Sequence, residues 1–357
     1  MKNHSFRLSI GTFSFMLLLL FSFALKMNGQ DIHFSQFRQS PLLLNPALTG
    51  HFDGSYRFVV NQRTQWRSVT APYSTFACSL DANNLPMPDG LFNSEDGDAS
   101  EWPFHAGISF YTDKAGDSQL KTTGINLVVS DDFKLPFNDK TTLRVGAMVG
   151  YTTMKIDYSK LNYDNQWNGT AYDPSINSGE VFPRAGRGFF NLNLGALINH
   201  SFTKEQSLTF GLSAFNLSQP GQSFFDEGYV KLDPRLNLHA SYTQTIGNSL
   251  ILEPLLLAMR QGTYSELNAG ALLHFTLHET AWSRNGVYSG FTLRNKDAFC
   301  LMAGLQLGLW NSCISYDVNI SALQPASNRR GGLEFSLIRT FYDFPKKRDA
   351  KWCPNYM

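Results

Sequence analysis

Few residues in this chain have the types and spacing that catalysis needs. Gly211-Leu212-Ser213-Ala214-Phe215 comes nearest to a nucleophile elbow, in which a serine sits between two glycines on a sharp strand-to-helix turn. The second glycine is missing and the segment reads as a strand, so Ser213 is expected to be a polar lumen-facing side chain. His278-Glu279-Thr280-Ala281-Trp282 starts like a zinc-protease helix but lacks the second histidine. His274 and His278 share a face at strand spacing, which supplies two imidazoles and no third ligand. Residues 89–101 (DGLFNSEDGDASE) gather Glu95, Asp96 and Asp98 beside Gly97 without the ordered spacing of a calcium loop, so a solvated loop is expected. No phosphate loop, dinucleotide fingerprint or paired-cysteine motif is present. These readings point to a protein that is not an enzyme and uses no cofactor or metal.

The elements that would have to position any site follow from periodicity. Period two dominates the chain and period 3.6 is nearly absent. In 299–309, Phe299, Leu301, Ala303, Leu305, Leu307 and Leu309 alternate with Cys300, Met302, Gly304, Gln306 and Gly308. Segments 190–200 and 235–246 behave the same way. Similar stretches lie at 54–65, 72–83, 103–112, 119–131, 141–155, 206–217, 249–260, 266–277, 286–295, 311–320 and 331–342, which predicts about fourteen strands. Most reach the roughly 9 to 11 residues that a tilted strand needs to cross a bilayer, whereas soluble strands average about 5 to 6. A soluble sandwich also shows period two. Strand length, apolar faces almost free of charge, and a secretory leader without a disulfide framework favour a single all-β, antiparallel outer-membrane barrel spanning 51–342.

Arg57, Arg63, Arg144, Glu253, Glu266, His274 and Arg294 fall on the opposite, lumen-facing parity. Arg339 falls on the apolar face of the last strand, where it is tolerable only near an interface. Pro254 predicts a bulge or a lost ladder bond. Tyr111, Tyr151, Tyr242, Tyr288 and Trp310 are expected in interfacial aromatic girdles. With the N-terminus on the periplasmic side, turns after odd-numbered strands face out and should be long. Segments 156–187 and 218–234 obey this, as do the short turns at 201–205, 247–248 and 310–311 on the other side. The stretch 84–102 and the tight turn near Lys296 do not.

The chain has 357 residues, with 30 Lys and Arg against 29 Asp and Glu. A net charge of +1 gives no general attraction to a polyanion and argues against a nucleic-acid binder. Lys2 and Arg7 precede the apolar run FSFMLLLLFSFAL at 13–25, long enough for a signal sequence and short for a membrane helix. Cleavage is expected after Gly29, giving a signal peptide at 1–29. Segment 30–50 is then a periplasmic or plug segment, and 343–357 a basic periplasmic tail carrying Lys346, Lys347, Arg348 and Lys351. The four cysteines are expected to be unpaired, since a turn near 310–311 would put Cys300 opposite residue 320 or so and out of reach of Cys313. The outward segment 156–187 gathers Tyr158, Tyr163, Trp167, Tyr172 and Phe182, with Phe189 just beyond, a composition suited to protein contact.

The opening QDIHFSQFRQSPLLLNPALTG, followed by YRFVVNQRTQWRSVTAPYSTFACSLD, closely resembles the start of the PorP/SprF family of type IX secretion system membrane proteins of Bacteroidetes. The resemblance continues through SFYTDKAGD, MKIDYSKLNYDNQWNGTAYDPSINSGE, DPRLNLHASY, ISYDVNISAL and GGLEFSLIRTF, and so covers essentially the whole mature chain. It implies a non-enzymatic outer-membrane barrel required for export, and often surface attachment, of substrates such as gliding adhesins. The implied partners are the periplasmic ring and peptidoglycan-associated components of that machine, an exported adhesin-like substrate, and outer-membrane lipid. Family-like positions, read as structural or partner-contact residues, are Phe34, Ser35, Gln36, Pro41, Asn45, Pro46 and Gly50 in the N-terminal segment. In the barrel they are Arg63, Gln65, Trp66, Tyr73, Asp113, Gly116, Asp157, Ser159, Lys160, Tyr316, Asp317 and Ser321, with Trp167 in the outward segment. Asn45-Pro46-Ala47 is expected to form a turn or helix start bringing the N-terminal segment into or under the barrel. Trp66 reads as a girdle residue, and Tyr316, Asp317 and Ser321 as one lumen hydrogen-bond set. The rival reading is a transport barrel for a small or lipid-like solute, with the N-terminal segment as a hatch.

Overall fold

The computed structural model describes residues 33–65, 72–85, 104–134, 140–181, 183–225, 230–280, 283–321 and 329–342. The expected leader, Trp66, Phe182 and the basic tail lie outside the described residues. Fourteen antiparallel strands follow one another round a closed barrel. They are β1 (Tyr56–Gln65), β2 (Tyr73–Leu85), β3 (Phe104–Ala115), β4 (Leu120–Lys134), β5 (Thr141–Lys155), β6 (Gly186–Ser201) and β7 (Gln206–Phe215) in the first half. The second half is β8 (Arg235–Ile246), β9 (Leu250–Gln261), β10 (Tyr264–Thr280), β11 (Ser283–Arg294), β12 (Ala298–Gly308), β13 (Trp310–Asn319) and β14 (Arg330–Phe341). The sheet closes where β1 pairs with β14 from Tyr56↔Phe341 to Gln65↔Gly332. Closure removes the unpaired edges that hydrocarbon would not tolerate, so every strand can satisfy its backbone on both sides.

Alternation fixes which face each side chain takes. On β4, Ile125, Leu127 and Val129 are 48, 59 and 51% exposed while Asn126, Val128 and Ser130 are buried. The outer face is therefore the apolar band and the inner face the lumen. Arg57, Arg63, Arg144, Glu253, Glu266 and Arg294 are all buried in that lumen. The lumen is less polar than a water-filled one. On β9, Leu255, Leu257 and Met259 face inward and pack with Leu272, Tyr288 and Met302 against Phe37 and Leu44 of the N-terminal segment. A strand covered by protein on one face and lipid on the other can be apolar on both.

Several expectations are corrected. Tyr111 and Tyr288 are not girdle residues: the Tyr111 hydroxyl lies 3.0 Å from Thr152 Oγ1, and Tyr288 donates to Asn311 Oδ1 at 2.7 Å inside the barrel. Tyr151 and Trp310 are exposed on the outer face. Tyr316 is also 43% exposed on that face, so it cannot join Asp317 and Ser321 in one lumen set. Of the two outcomes expected at Pro254, the lost ladder bond is found and no bulge forms. β8 and β9 keep one register from Ser241↔Leu255 to Gln244↔Leu252, and the ladder between them lapses opposite Glu253 and Pro254. The β12–β13 turn falls at Gly308 and Leu309, which sets Cys300 against Asp317 and Cys313 against Gly304; Cys78, Cys300 and Cys313 are free. Arg339 stacks its guanidinium 4.6 Å from the Trp310 ring and 5.3 Å from the Phe341 ring at the end of the strand, where an amphipathic side chain is cheapest.

The long connections 156–185 and 216–234 follow β5 and β7 and leave one mouth of the barrel. The connections after β6, β8, β10 and β12 at the other mouth are at most four residues long, while 86–103 is the long exception. Long loops outward and short turns inward orient the barrel in the outer membrane.

Candidate functional site

The site is the lumen itself. From His33 to Ser55 the N-terminal segment runs inside the barrel from its outer third to the inner mouth, where Ser55 N–H donates to Phe341 O at 2.8 Å. Its only regular pieces are the single α-helical turn α1 (Pro41–Leu44) and short 3-10 turns at Phe37–Gln39 and Pro46–Leu48. Such a segment leaves many backbone groups unpaired, and the strands supply the partners.

Near the outer mouth the supply is ionic. Glu334 on β14 accepts the Ser35 and Gln36 backbone N–H groups at 2.8 and 3.0 Å and pairs with Arg63 of β1 at 2.9 Å. Arg63 also donates to His33 O at 2.6 Å. Asp317 of β13 accepts the Ser35 hydroxyl at 2.6 Å and pairs with Arg294 of β11 at 2.8 Å and with Arg63 at 3.3 Å. Glu266 of β10 faces His33 at 3.4 Å. Three carboxylates thus meet two guanidinium groups and an imidazole with almost no water contact. Every member of such a cluster needs a partner, because an isolated buried charge costs several kcal/mol.

In the middle the supply is neutral. The Leu44 carbonyl accepts from Ser213 Oγ at 2.7 Å and Asn237 Nδ2 at 3.0 Å, and the Asn45 amide donates to the carbonyls of Ala196 and Leu212 at 3.0 and 3.1 Å. Asn45 Oδ1 also caps the next turn by accepting Ala47 N–H at 2.9 Å. The barrel wall makes room with glycine: a Cβ on Gly195 would lie 1.9 Å from Asn45 Oδ1, and one on Gly146 2.5 Å from Ala47 N. Leu42 fills a second apolar nest with Val128, Met148 and Phe215.

At the inner mouth Asp81 of β2 accepts Gly50 N–H at 2.9 Å and holds the Arg57 guanidinium by two bonds of 3.0 and 2.7 Å. Arg144 donates to Thr49 O at 2.9 Å while clamping Asp132. Beneath the segment a polar recess of about 540 Å³, bordered by Arg38, Ser241, Thr243, Gln306 and Tyr342, opens toward the short-turn side.

Of the sequence-predicted positions, Phe34, Ser35, Gln36, Pro41, Asn45 and Pro46 are buried in the lumen together with Arg63, Asp317 and Ser321. Gly50 takes φ +67° where the segment turns against His105. Asp113 accepts the Thr75 hydroxyl at 2.5 Å, Gly116 takes φ +67° in the β3–β4 turn, and Gln65 and Tyr73 end the paired strands β1 and β2 at the outer mouth. Asp157, Ser159, Lys160 and Trp167 lie apart in the outward segment, where Asp157 caps the turn Tyr158–Lys160 and Trp167 bridges to Tyr172. Phe189, by contrast, is buried on the inner face of β6. Glu334, Asp81 and Gln166 were not singled out by sequence. The signal for the first two is an acid on lumen parity opposite Arg63 and Arg57. Gln166 carried none: its amide ties Ile176 O at 2.8 Å and the Tyr172 hydroxyl at 3.2 Å, which orders the outward segment. Among the described residues no group of three or more His, Cys, Asp or Glu side chains could hold a metal ion.

Residues 26–338 match the family model described as type IX secretion system membrane protein PorP/SprF. No curated protein matches the chain. Among solved structures, the CymD monoaromatic hydrocarbon channel is 10% identical and superposes over 88% of this chain and 96% of its own, with a TM-score of 0.44. The Pseudomonas putida toluene transporter TodX is 10% identical over 85% of this chain and 94% of its own, with a TM-score of 0.44. The KdgM porin is 9% identical over 80% and 99%, with a TM-score of 0.36.

Proposed function

The chain belongs to the PorP/SprF family of type IX secretion system membrane proteins, and from that membership we propose that it serves protein secretion through its surfaces rather than by conducting solute through its lumen. The observation that carries this reading is the N-terminal segment, bonded to strands around the barrel circumference from β1 and β2 through β14. A hatch that opens per transported molecule would be expected to rest on contacts that break cheaply. This one is held by buried carboxylates and a guanidinium that bond its Ser35, Gln36 and His33 groups, and its withdrawal would leave those buried groups without partners.

In this reading the ordered outward segment with exposed Trp167 receives or retains an exported adhesin-like substrate, and the inner mouth with the basic tail meets the periplasmic ring and peptidoglycan-associated components. The protein acts as a substrate-specific, non-enzymatic component of the machine. The test is a deletion strain assayed for surface adhesin and for small-solute uptake. Lost secretion with intact uptake is expected, and intact secretion with lost uptake overturns the reading. Pull-down after removal of residues 344–357 tests the tail, and unchanged recovery of periplasmic partners removes it from the account.

A further inference from the structure

The outer wall carries a charge arrangement that the secretion reading does not use. At the outward ends of β3, β4 and β5 stand Lys114, Lys121 and Lys155. Lys114 is directly opposite Lys121, and Lys121 directly opposite Lys155. Directly opposed side chains in an antiparallel pair have Cβ atoms about 4.5 to 5.5 Å apart, and like charges so placed repel. All three side chains are exposed, and none has an ion-pair or hydrogen-bond partner among the described residues.

Parity puts the row on the lipid-facing wall. Lys121 shares its face with Ile125, Leu127 and Val129, Lys155 with Val149 and Tyr151, and Lys114 with Ile108, all of which are exposed on that wall. Lys121 lies four residues beyond Ile125. At about 3.3 Å per residue and a tilt of about 40°, that is roughly 10 Å above the apolar band, at headgroup level of the outer leaflet. Between row and band runs a hydroxyl step, with Thr112 Oγ1 3.2 Å from Thr123 Oγ1, and Thr153 opposite Thr123. The lysines border a groove of about 570 Å³ that Phe76, Thr112 and Gln119 also line. Asp157 stands at its end, its carboxylate engaged by the Ser159 hydroxyl at 2.6 Å and its carboxyl held below the ordinary range chiefly by that bond. Three ammonium groups against one carboxylate leave two positive charges unanswered at the membrane surface.

We propose that this lysine row binds a phosphate group of an outer-leaflet lipid, whose acyl chains descend the wall past the threonine step onto Ile125, Tyr151 and Phe190. A phosphate monoester carries about −1.5 to −2 charges near neutral pH and three acceptor oxygens, which matches the residual charge and the three donors. The groove faces lipid below and water above, so the ligand must be amphipathic. The site depends on the barrel and its orientation, and stands whether or not the secretion reading does.

The test uses the full mature chain in detergent, titrated with diphosphoryl lipid A and followed by thermal unfolding and native mass spectrometry. Enzymatically dephosphorylated lipid A and inorganic phosphate serve as separate arms. Lipid A is expected to raise the unfolding temperature of the wild type, with dephosphorylated lipid A and inorganic phosphate giving little. The triple variant Lys114→Gln, Lys121→Gln, Lys155→Gln should bind lipid A at least about tenfold more weakly, since it loses three charge-assisted contacts. Lys121→Gln alone should lose several-fold, and Lys204→Gln on the opposite rim nothing. Without lipid, the triple variant should unfold no earlier than wild type because mutual repulsion is gone. Equal binding of the phosphorylated and dephosphorylated lipid, undiminished binding by the lysine variants, or equal stabilisation by inorganic phosphate would overturn the proposal.

Discussion

Glu334 receives two backbone N–H groups and a guanidinium while almost completely shielded from solvent, so its removal leaves two donors unpaired and takes from Arg63 its closer carboxylate. Glu334→Ala is expected to lower unfolding stability by about 3 to 5 kcal/mol, the usual cost of leaving one partner of a buried pair alone. Urea unfolding in micelles measures it. The double variant Arg63→Met, Glu334→Leu should cost less than the sum of the single changes, because no orphaned charge remains. Single residues were the least legible in sequence. Arg57, Arg63 and Arg294 announced themselves as charges on the lumen parity, but parity does not say what a charge meets. Asp81 lies 24 residues from Arg57, whereas Glu334 stands near the other end of the chain and meets Arg63 only because closure sets β14 beside β1. Tyr111 and Tyr288 were misplaced because a tyrosine suits both an interface girdle and a buried hydrogen bond, and only the partner decides.

At the scale of elements, the N-terminal segment is the part that determines what the lumen can pass. Deleting residues 33–50 is expected to convert a barrel that is electrically silent in planar bilayers into one with steady ion conductance. Gly195→Val should do the same in part, since its Cβ would displace Asn45 and with it the turn that bonds to β6 and β7. A silent deletion variant would mean that something else closes the lumen. The strands were largely legible: β5 and β8 begin and end where alternation does, at Thr141–Lys155 and Arg235–Ile246. β10 runs longer, Tyr264–Thr280, because its bulge between Thr276 and His278 breaks the alternation that marks a strand without ending the pairing. In the N-terminal segment the turn at Asn45-Pro46-Ala47 was legible, while the contacts that hold the segment in the lumen were not. A segment stabilised by contacts hundreds of residues away has no local pattern to show.

For the molecule as a whole, the distribution of connections sets its direction in the membrane. A cysteine placed at exposed Asn168 should react with a membrane-impermeant maleimide on intact cells, whereas one at Lys204 should not until the outer membrane is breached. The reverse pattern would invert the barrel and move the lysine row to the periplasmic leaflet. Closure of the fourteen strands was anticipated from strand length and count, whereas the N-terminal segment was left open between a plug and a periplasmic position. Counting strands fixes a circumference, and a circumference says nothing about what occupies it.

The bond from Ser35 to Glu334 joins residues 299 positions apart. The first residues of the described chain are therefore gripped by the last strand, and the seam between β1 and β14 is the same place where that grip forms. Contacts of such separation form late in folding, after the loop-closure cost of the whole chain has been met. Zipping of the seam and capture of the leading segment thus become a single late event. The assembling sheet must curl around its own N-terminus, so no hollow cylinder need ever stand open in the membrane on the way to the finished protein.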